Sequence, residues 1–226
     1  MAPLPEISPI DRIQENFLAR AERRVLDRLC AAMPAWVTPD KLTSIGMVGA
    51  SMILAGYLAS NVAAAWLWLS IAGFVVHWFG DSLDGSLARF RKIERPRYGY
   101  FLDHSCDGLA TAMIVCGIGL SPYVALEAAL LGLAGYLLLS IHAFLSVRVL
   151  GELPLTYLNL GPTEVRVLLV LLTLAFLIFG MPRPIWGETT SFDLVAWGAG
   201  LLMIGLFVAM TASKARLLAR QEPPRR

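Results

Sequence analysis

The chain has 226 residues, of which 57% are hydrophobic and only 16% charged, and its mean hydropathy is +0.63. That balance excludes an ordinary soluble domain and leaves room for roughly six bilayer crossings of about 20 residues each, with little chain left for a separate soluble unit. The net charge of +2 conceals a strong asymmetry in where Lys and Arg fall.

Ser8-Pro9-Ile10-Asp11 reads as a helix start, with a Ser cap, Pro at the first helical position and an acid in the first turn. Ile10, Ile13, Phe17, Ala21 and Val25 then recur at helical spacing, while Arg12, Glu15, Arg20, Glu22 and Arg23 take other faces. Residues 1–36 are therefore expected to form an amphipathic juxtamembrane helix, lying on the membrane surface or on the protein's own ends. Val37-Thr38-Pro39-Asp40 repeats the cap-then-proline start, and apolar segments follow at 42–59, 62–80, 100–120, 123–147, 165–179 and 194–212. They predict an all-α integral membrane protein with a six-helix transmembrane domain over 37–215 and a basic tail over 216–226. The fifth segment is short unless its helix starts at Pro162. Charged residues precede the first apolar run, which speaks against a cleaved signal peptide. Cys30, Cys106 and Cys116 have no metal-ligand spacing and read as buried free thiols. Gly46, Gly49, Gly56, Gly132 and Gly135 suit close helix packing.

The charge map orients the bundle. Arg12, Arg20, Arg23, Arg24, Arg28 and Lys41 precede the first span, and Arg89, Arg91, Lys92, Arg95 and Arg97 join the second to the third. Arg148 and Arg166 flank the fourth connection, and Lys214, Arg216, Arg220, Arg225 and Arg226 close the chain. With six spans all of these fall on one side, and the other side holds only Arg183. The positive-inside rule then predicts a multi-pass protein of the cytoplasmic membrane with both termini in the cytoplasm.

Against this apolar background stand Asp81-Ser-Leu-Asp84-Gly85-Ser-Leu-Ala88-Arg89 and Gly99-Tyr-Phe-Leu-Asp103-His104-Ser-Cys106-Asp107. Ionisable groups at membrane depth are costly and by default mark function. Helical spacing puts Asp81, Asp84, Gly85 and Ala88 on one stripe, with Arg89 just beyond, and puts Gly99, Asp103 and Asp107 on another. The basic loop between them turns the chain, so the stripes can face each other at the cytoplasmic end. Four converging carboxylates would repel unless cations intervened, and all-oxygen ligation points to Mg²⁺ or Mn²⁺, with Ca²⁺ possible, rather than zinc. Gly85 and Ala88 leave a slot for a flat base or a phosphate, and Arg89 offers a planar donor fork to phosphate oxygens. An interfacial ion network of the acids with Arg89, Arg91, Lys92 and Arg95 would not need the small residues.

The two strings resemble the signature of the CDP-alcohol phosphotransferase family, D-x-x-D-G-x-x-A-R, a loop, then G-x-x-x-D-x-x-x-D, at every specified position. Val37-Thr38-Pro39-Asp40-Lys41-Leu42-Thr43 is similar to the family's nucleotide-holding T-P-N-x-L-T segment, with Asp40 in place of Asn. The resemblance implies a two-metal centre on Asp81, Asp84, Asp103 and Asp107, a cytidine slot at Gly85 and Ala88, and contacts from Arg89 to the diphosphate and from Thr43 to the nucleotide. It also implies attack of an alcohol hydroxyl on a CDP-alcohol with release of CMP, in a homodimer. Asp107 is the first choice of base and His104 the second. CDP-diacylglycerol donating to a polar alcohol suits the apolar setting. The alternative, CDP-choline or CDP-ethanolamine donating to diacylglycerol, is suggested by the D-H-x-C-D string of residues 103–107. Membrane lipids are expected partners and nucleic acid is not.

For the acceptor, Arg148, Arg166, His142, Ser140 and Ser146 are candidates, although flanking charge set by topology or core hydrogen bonding is the favoured explanation of each; the group Gly161-Pro162-Thr163-Glu164-Val165-Arg166 is another, in which Glu164 and Arg166 could instead satisfy each other. Two rivals from other classes are a prenyltransferase, which would lack the G-x-x-A-R slot, and a divalent-cation transporter. The transporter would need acids across the bilayer rather than a cluster at one end.

Overall fold

The computed structural model describes residues 17–150 and 162–222. The expected helix start at Ser8, the group's Gly161, the Arg148 side chain and the last four residues of the tail lie outside what is described. Helix α1 spans Phe17–Ala32, α2 Pro39–Ala59, α3 Leu67–Phe90, α4 Pro96–Gly119, α5 Leu126–Leu150, α6 Pro162–Phe179 and α7 Ser191–Gln221. A 3-10 turn, Ala64–Trp66, leads into α3, and a two-stranded antiparallel ribbon, β1 Pro184–Trp186 with β2 Thr189–Thr190, leads into α7.

Caps and prolines account for the helix starts, and of these the Thr38-Pro39 cap and the Pro162 start are read from sequence. Thr38 caps α2, its hydroxyl accepting from the Lys41 amide, with Pro39 in the first turn. Pro96 opens α4 and Pro162 opens α6, so the fifth apolar segment does gain its extra turn. At α7, Thr190 and Asp193 form a reciprocal capping box, and Asp193 also accepts from the Ala125 amide at 2.7 Å, tying this end to the start of α5. Helix α3 ends in a Schellman turn: the Ile93 and Lys92 amides bond the Ala88 and Arg89 carbonyls, with Lys92 at φ 55°.

Several boundaries differ from expectation. The second apolar segment, expected over 62–80, becomes a helix that starts at Leu67 and runs ten residues further, because the polar motif is helical too. The connection to α4 shortens accordingly to 91–95. Helix α7 extends to Gln221, so Lys214, Arg216 and Arg220 sit on its last turns. Five helices, α2 and α4 to α7, are long and apolar enough to cross a membrane, and the chain is a multi-pass, all-α membrane protein. Helix α3 is equally long at 24 residues but carries His77, Asp81, Asp84 and Arg89, which dilute its apolar character.

Packing divides the bundle. Helices α2 and α3 meet backbone to backbone along small residues: a Cβ added to Gly49 would lie 2.3 Å from the His77 nitrogen, and one at Gly80 2.2 Å from the Gly46 nitrogen. Ser70 donates to the Ile53 carbonyl across the same seam. Helix α4 packs on α2, with Gly117 against Leu54 and Tyr57. Away from the motif, Ile53, Tyr57, Phe74, Ile118, Tyr123 and Phe176 form the main core, where the Tyr57 hydroxyl meets the Thr173 hydroxyl at 2.6 Å. Helix α5 pairs chiefly with α7, with Gly135 and Gly200 at their contact. Gly132 faces open space, and it is the missing Cβ of Gly200 that lets the α7 backbone approach Leu131 and Gly132.

Helix α1 lies on α3, where Leu26, Leu29 and Cys30 pack with Val37, Leu42, Leu83 and Leu87. Val25, the one residue of the expected stripe whose burial is described, is exposed. Burial and the nearby Asp27 push the Cys30 thiol up, so it packs as a small inert hydrophobe. The Arg91 guanidinium donates to the carbonyls of Met33, Pro34 and Val37, fastening the link between α1 and α2 to the end of α3.

Candidate active site

Helix α4 joins the closely packed α2–α3 pair at its motif end through Asp103, Cys106, Asp107 and Ala110. A small cavity of about 230 Å³, counted with its open mouth, lies between the three helices. Asp81 and Asp84 of α3, Asp103 and Asp107 of α4, and Thr43 of α2 all line it, together with Gly46, Met47, His77, Cys106 and Ala110. The facing of the two acidic stripes, inferred from helical period alone, is thus what the fold produces.

Each carboxylate has its own setting. Asp84 is the most buried, 8% exposed, and accepts from the Thr43 hydroxyl at 2.6 Å and from the Gly85 amide. Thr43, implied as a nucleotide contact, is therefore engaged with an acid of the motif. Asp81 forms an ion pair with Arg166 of α6 and shares the cavity lining with Asp107. Carboxylates gathered on one cavity repel unless a proton or a cation intervenes. Asp103, His104 and Asp107 bring one ligand atom each within 4.8 Å of the others. The donor set is dominated by oxygen and converges on a cavity, so the residues fit a divalent cation such as Mg²⁺ or Mn²⁺.

His104 turns its Nδ1 toward Asp103 and Asp107, at 3.7 and 3.8 Å, while its ring is held against Tyr100 (4.3 Å between centroids) and Phe144 (5.0 Å). Its Nε2 is buried without a hydrogen-bond partner. Gly85, Ala88 and Arg89 are not part of the cavity lining; they continue the α3 surface toward its end. A Cβ at Gly85 would meet only the Arg89 guanidinium, the movable end of a side chain, at 3.3 Å. The surface there is open, as a slot requires, and Arg89 lies across it.

Three acceptor candidates have structural duties. His142 lies between the Thr211 and Ser146 hydroxyls, bridging α5 to α7. Ser140 donates to the Tyr136 carbonyl of its own helix. Asp40, where the nucleotide segment departs from the family pattern, pairs with Arg95.

A family model for CDP-alcohol phosphatidyltransferase matches residues 36–212. The chain belongs to the CDP-alcohol phosphatidyltransferase family. Among relatives of this family, cholinephosphotransferase 1 of Danio rerio is 29% identical over 133 residues, 50% of this chain and 35% of that protein. The archaetidylinositol phosphate synthase of Methanothermobacter thermautotrophicus is 32% identical over 120 residues, 52% of this chain and 56% of that one. The chain thus spans about half, or less, of the length of these curated relatives. The fold is similar to the crystal structure of Mycobacterium tuberculosis phosphatidylinositol phosphate synthase (PgsA1) with CDP-DAG bound. That match has a TM-score of 0.55 and 20% identity over 84% of this chain and 91% of the other.

Two features of this family member escaped the sequence. Arg166 pairs with Asp81 rather than with Glu164, so a second arginine besides Arg89 belongs to the acidic cluster. Glu22 of α1 accepts from Trp78, Ser82 and Thr163, joining α1, α3 and α6. Both pairings cross large sequence separations, and no local period encodes them.

Proposed function

We propose that the protein is a divalent-metal-dependent CDP-alcohol phosphotransferase that moves the phosphatidyl group of CDP-diacylglycerol to the hydroxyl of a polar alcohol and releases CMP. The observation that carries this reading is the convergence of Asp81, Asp84, Asp103 and Asp107 on one cavity beside Thr43. Those four carboxylates would hold two Mg²⁺ or Mn²⁺ ions. When bound, such ions supply positive charge to the diphosphate and to the leaving oxygen. Thr43 and the Gly85 amide fix the Asp84 carboxylate, so its orientation does not depend on substrate.

Gly85 and Ala88 would border the cytidine, where the open surface of α3 lets a base approach the backbone, and Arg89 would bind diphosphate oxygens. Asp107 would take the proton of the acceptor hydroxyl. His104 is the second choice of base; its nearness to both Asp103 and Asp107 also suits a role in orienting them. The apolar surroundings favour a donor whose acyl chains enter from the bilayer.

In this reading α3 is a sixth crossing, 37–215 is the catalytic unit, and the motif end and both termini face the cytoplasm, as the Lys and Arg distribution supports. Helix α1 lies along the membrane surface with Val25 outward. The homodimer implied by the resemblance would use lipid-facing helix surfaces, and chemical cross-linking in membranes tests it.

A second reading has a specific observation behind it: the Asp103-His104-Ser-Cys106-Asp107 string and the likeness to a cholinephosphotransferase both suit CDP-choline or CDP-ethanolamine as donor and diacylglycerol as acceptor. The deciding experiment is CMP release by purified protein with Mg²⁺, Mn²⁺ or chelator, crossing both donor types with polar alcohols, inositol phosphate among them, and diacylglycerol. Metal-dependent CMP release with CDP-diacylglycerol and a polar alcohol is expected. Release only with CDP-choline or CDP-ethanolamine selects the second reading, and no release with any pair overturns both. Divalent-ion uptake into vesicles without nucleotide would instead favour a transporter.

A further inference from the structure

Helix α6 is anchored unevenly. Its buried residues, Thr173 and Phe176, lie in its second half, and its first turn reaches the rest of the protein through polar contacts. Thr163 donates its hydroxyl to the Glu22 carboxylate, 2.9 Å from either oxygen. Glu22 is itself fixed on α3 by the Trp78 indole N–H at 2.8 Å and the Ser82 hydroxyl at 3.3 Å. Three residues after Thr163, on the same side of α6, Arg166 forms its ion pair with Asp81. Asp81 is the neighbour of Ser82 on α3. One turn of α3 therefore receives α6 twice, directly through Arg166 and indirectly through Glu22.

The Arg166–Asp81 pair is largely shielded, its side chains 14% and 22% exposed. A carboxylate so engaged is not freely available to a cation, and the adjacent guanidinium repels one. We propose that Arg166 is a built-in counter-ion that a divalent cation must displace from Asp81, and that Glu22, acting through Thr163, is the positioning residue that keeps it there. The inference rests on the reading of Asp81 as a metal ligand. It assigns roles to three residues outside the sequence motif, and it makes cation entry and the release of a buried positive charge into the cavity a single exchange.

The test measures Mn²⁺ binding to the full-length protein in detergent without nucleotide, by calorimetry and by the electron paramagnetic resonance of free Mn²⁺. Circular dichroism serves as the folding control. Arg166→Gln should bind Mn²⁺ about tenfold more tightly than the unsubstituted protein. Thr163→Val, which removes only the hydroxyl donor, should tighten binding about threefold, and Glu22→Gln should act in the same direction. The Thr163→Val effect should vanish in the Arg166→Gln background, a non-additivity that a purely structural role would not produce. If Asp81→Asn weakens Mn²⁺ binding while Arg166→Gln leaves it unchanged, or if the Thr163→Val effect persists without Arg166, the inference is overturned and the metal site stands. Failure of the unsubstituted protein to bind Mn²⁺ overturns both.

Discussion

Helices α2 and α3 run antiparallel and helices α5 and α7 run parallel, and both pairs have glycines at their contact, yet they are built differently. Between α2 and α3 the backbones touch at Gly46, Gly49, Gly73 and Gly80, and 39% of the most apolar stretch of α2 is buried. Between α5 and α7 the close contact is confined to Gly135 and Gly200, a His142–Thr211 bond adds a polar tie, and only 6% of the corresponding stretch of α7 is buried. The first pair is a rigid seam whose end carries Thr43, Asp81 and Asp84 on opposing walls. The second presents an apolar surface outward. Chemistry that needs carboxylates held to within a fraction of an ångström is found where backbones, not flexible side chains, set the spacing.

This contrast can be broken from its most consequential point outward. Asp84→Asn should cut metal-dependent CMP release by at least about 100-fold, more than the loss of an outer-shell partner, while the purified protein keeps its unfolding temperature. Gly49→Ala forces a methyl group into the His77 backbone and should destabilise the fold by about 2 kcal/mol in detergent unfolding. Gly205→Ala on α7, where a Cβ meets nothing within 4 Å, should stay within about 0.5 kcal/mol. Equal responses would erase the distinction between seam and outer pair. Thr43→Val removes the hydroxyl from Asp84 without changing shape and should lower turnover about tenfold, with little change in stability. His142→Ala should cost about 1 kcal/mol of stability and leave the acceptor KM unaltered; a raised acceptor KM would return His142 to the acceptor site.

Much of the site was legible because its logic is local. The i, i+3 and i, i+4 spacing of Asp81, Asp84 and Gly85, and of Gly99, Asp103 and Asp107, makes two stripes as soon as both segments are helical, and a short basic connection turns them face to face. Thr38, Pro39 and Pro162 likewise announce their helix starts through groups a few residues apart. What the sequence left open depended on distant partners. The start of α3 at Leu67, after the 3-10 turn Ala64–Trp66, has no sequence signal of its own. The face of α1 that packs inward is Leu26, Leu29 and Cys30 because α3 and the link before α2 offer Leu83, Leu87 and Val37 there. The core hydrogen bonding favoured for His142 and Ser146 has its partner, Thr211, on α7, which the sequence could not name.

The sequence by itself determined that the chain is a helical membrane protein, that α2 and α6 begin at Pro39 and Pro162, and which carboxylates gather at one end, since composition, caps and helical period act within a few residues of chain. The tertiary structure alone decided which charges meet. Whether Arg166 pairs with Glu164, two residues away, or with Asp81 on another helix depends on how α6 docks. That docking is fixed by Glu22, Trp78, Ser82 and Thr163, contacts between residues up to 141 positions apart. An ion pair has no period to betray it, and its partner is set by the distance and burial that only the folded bundle provides.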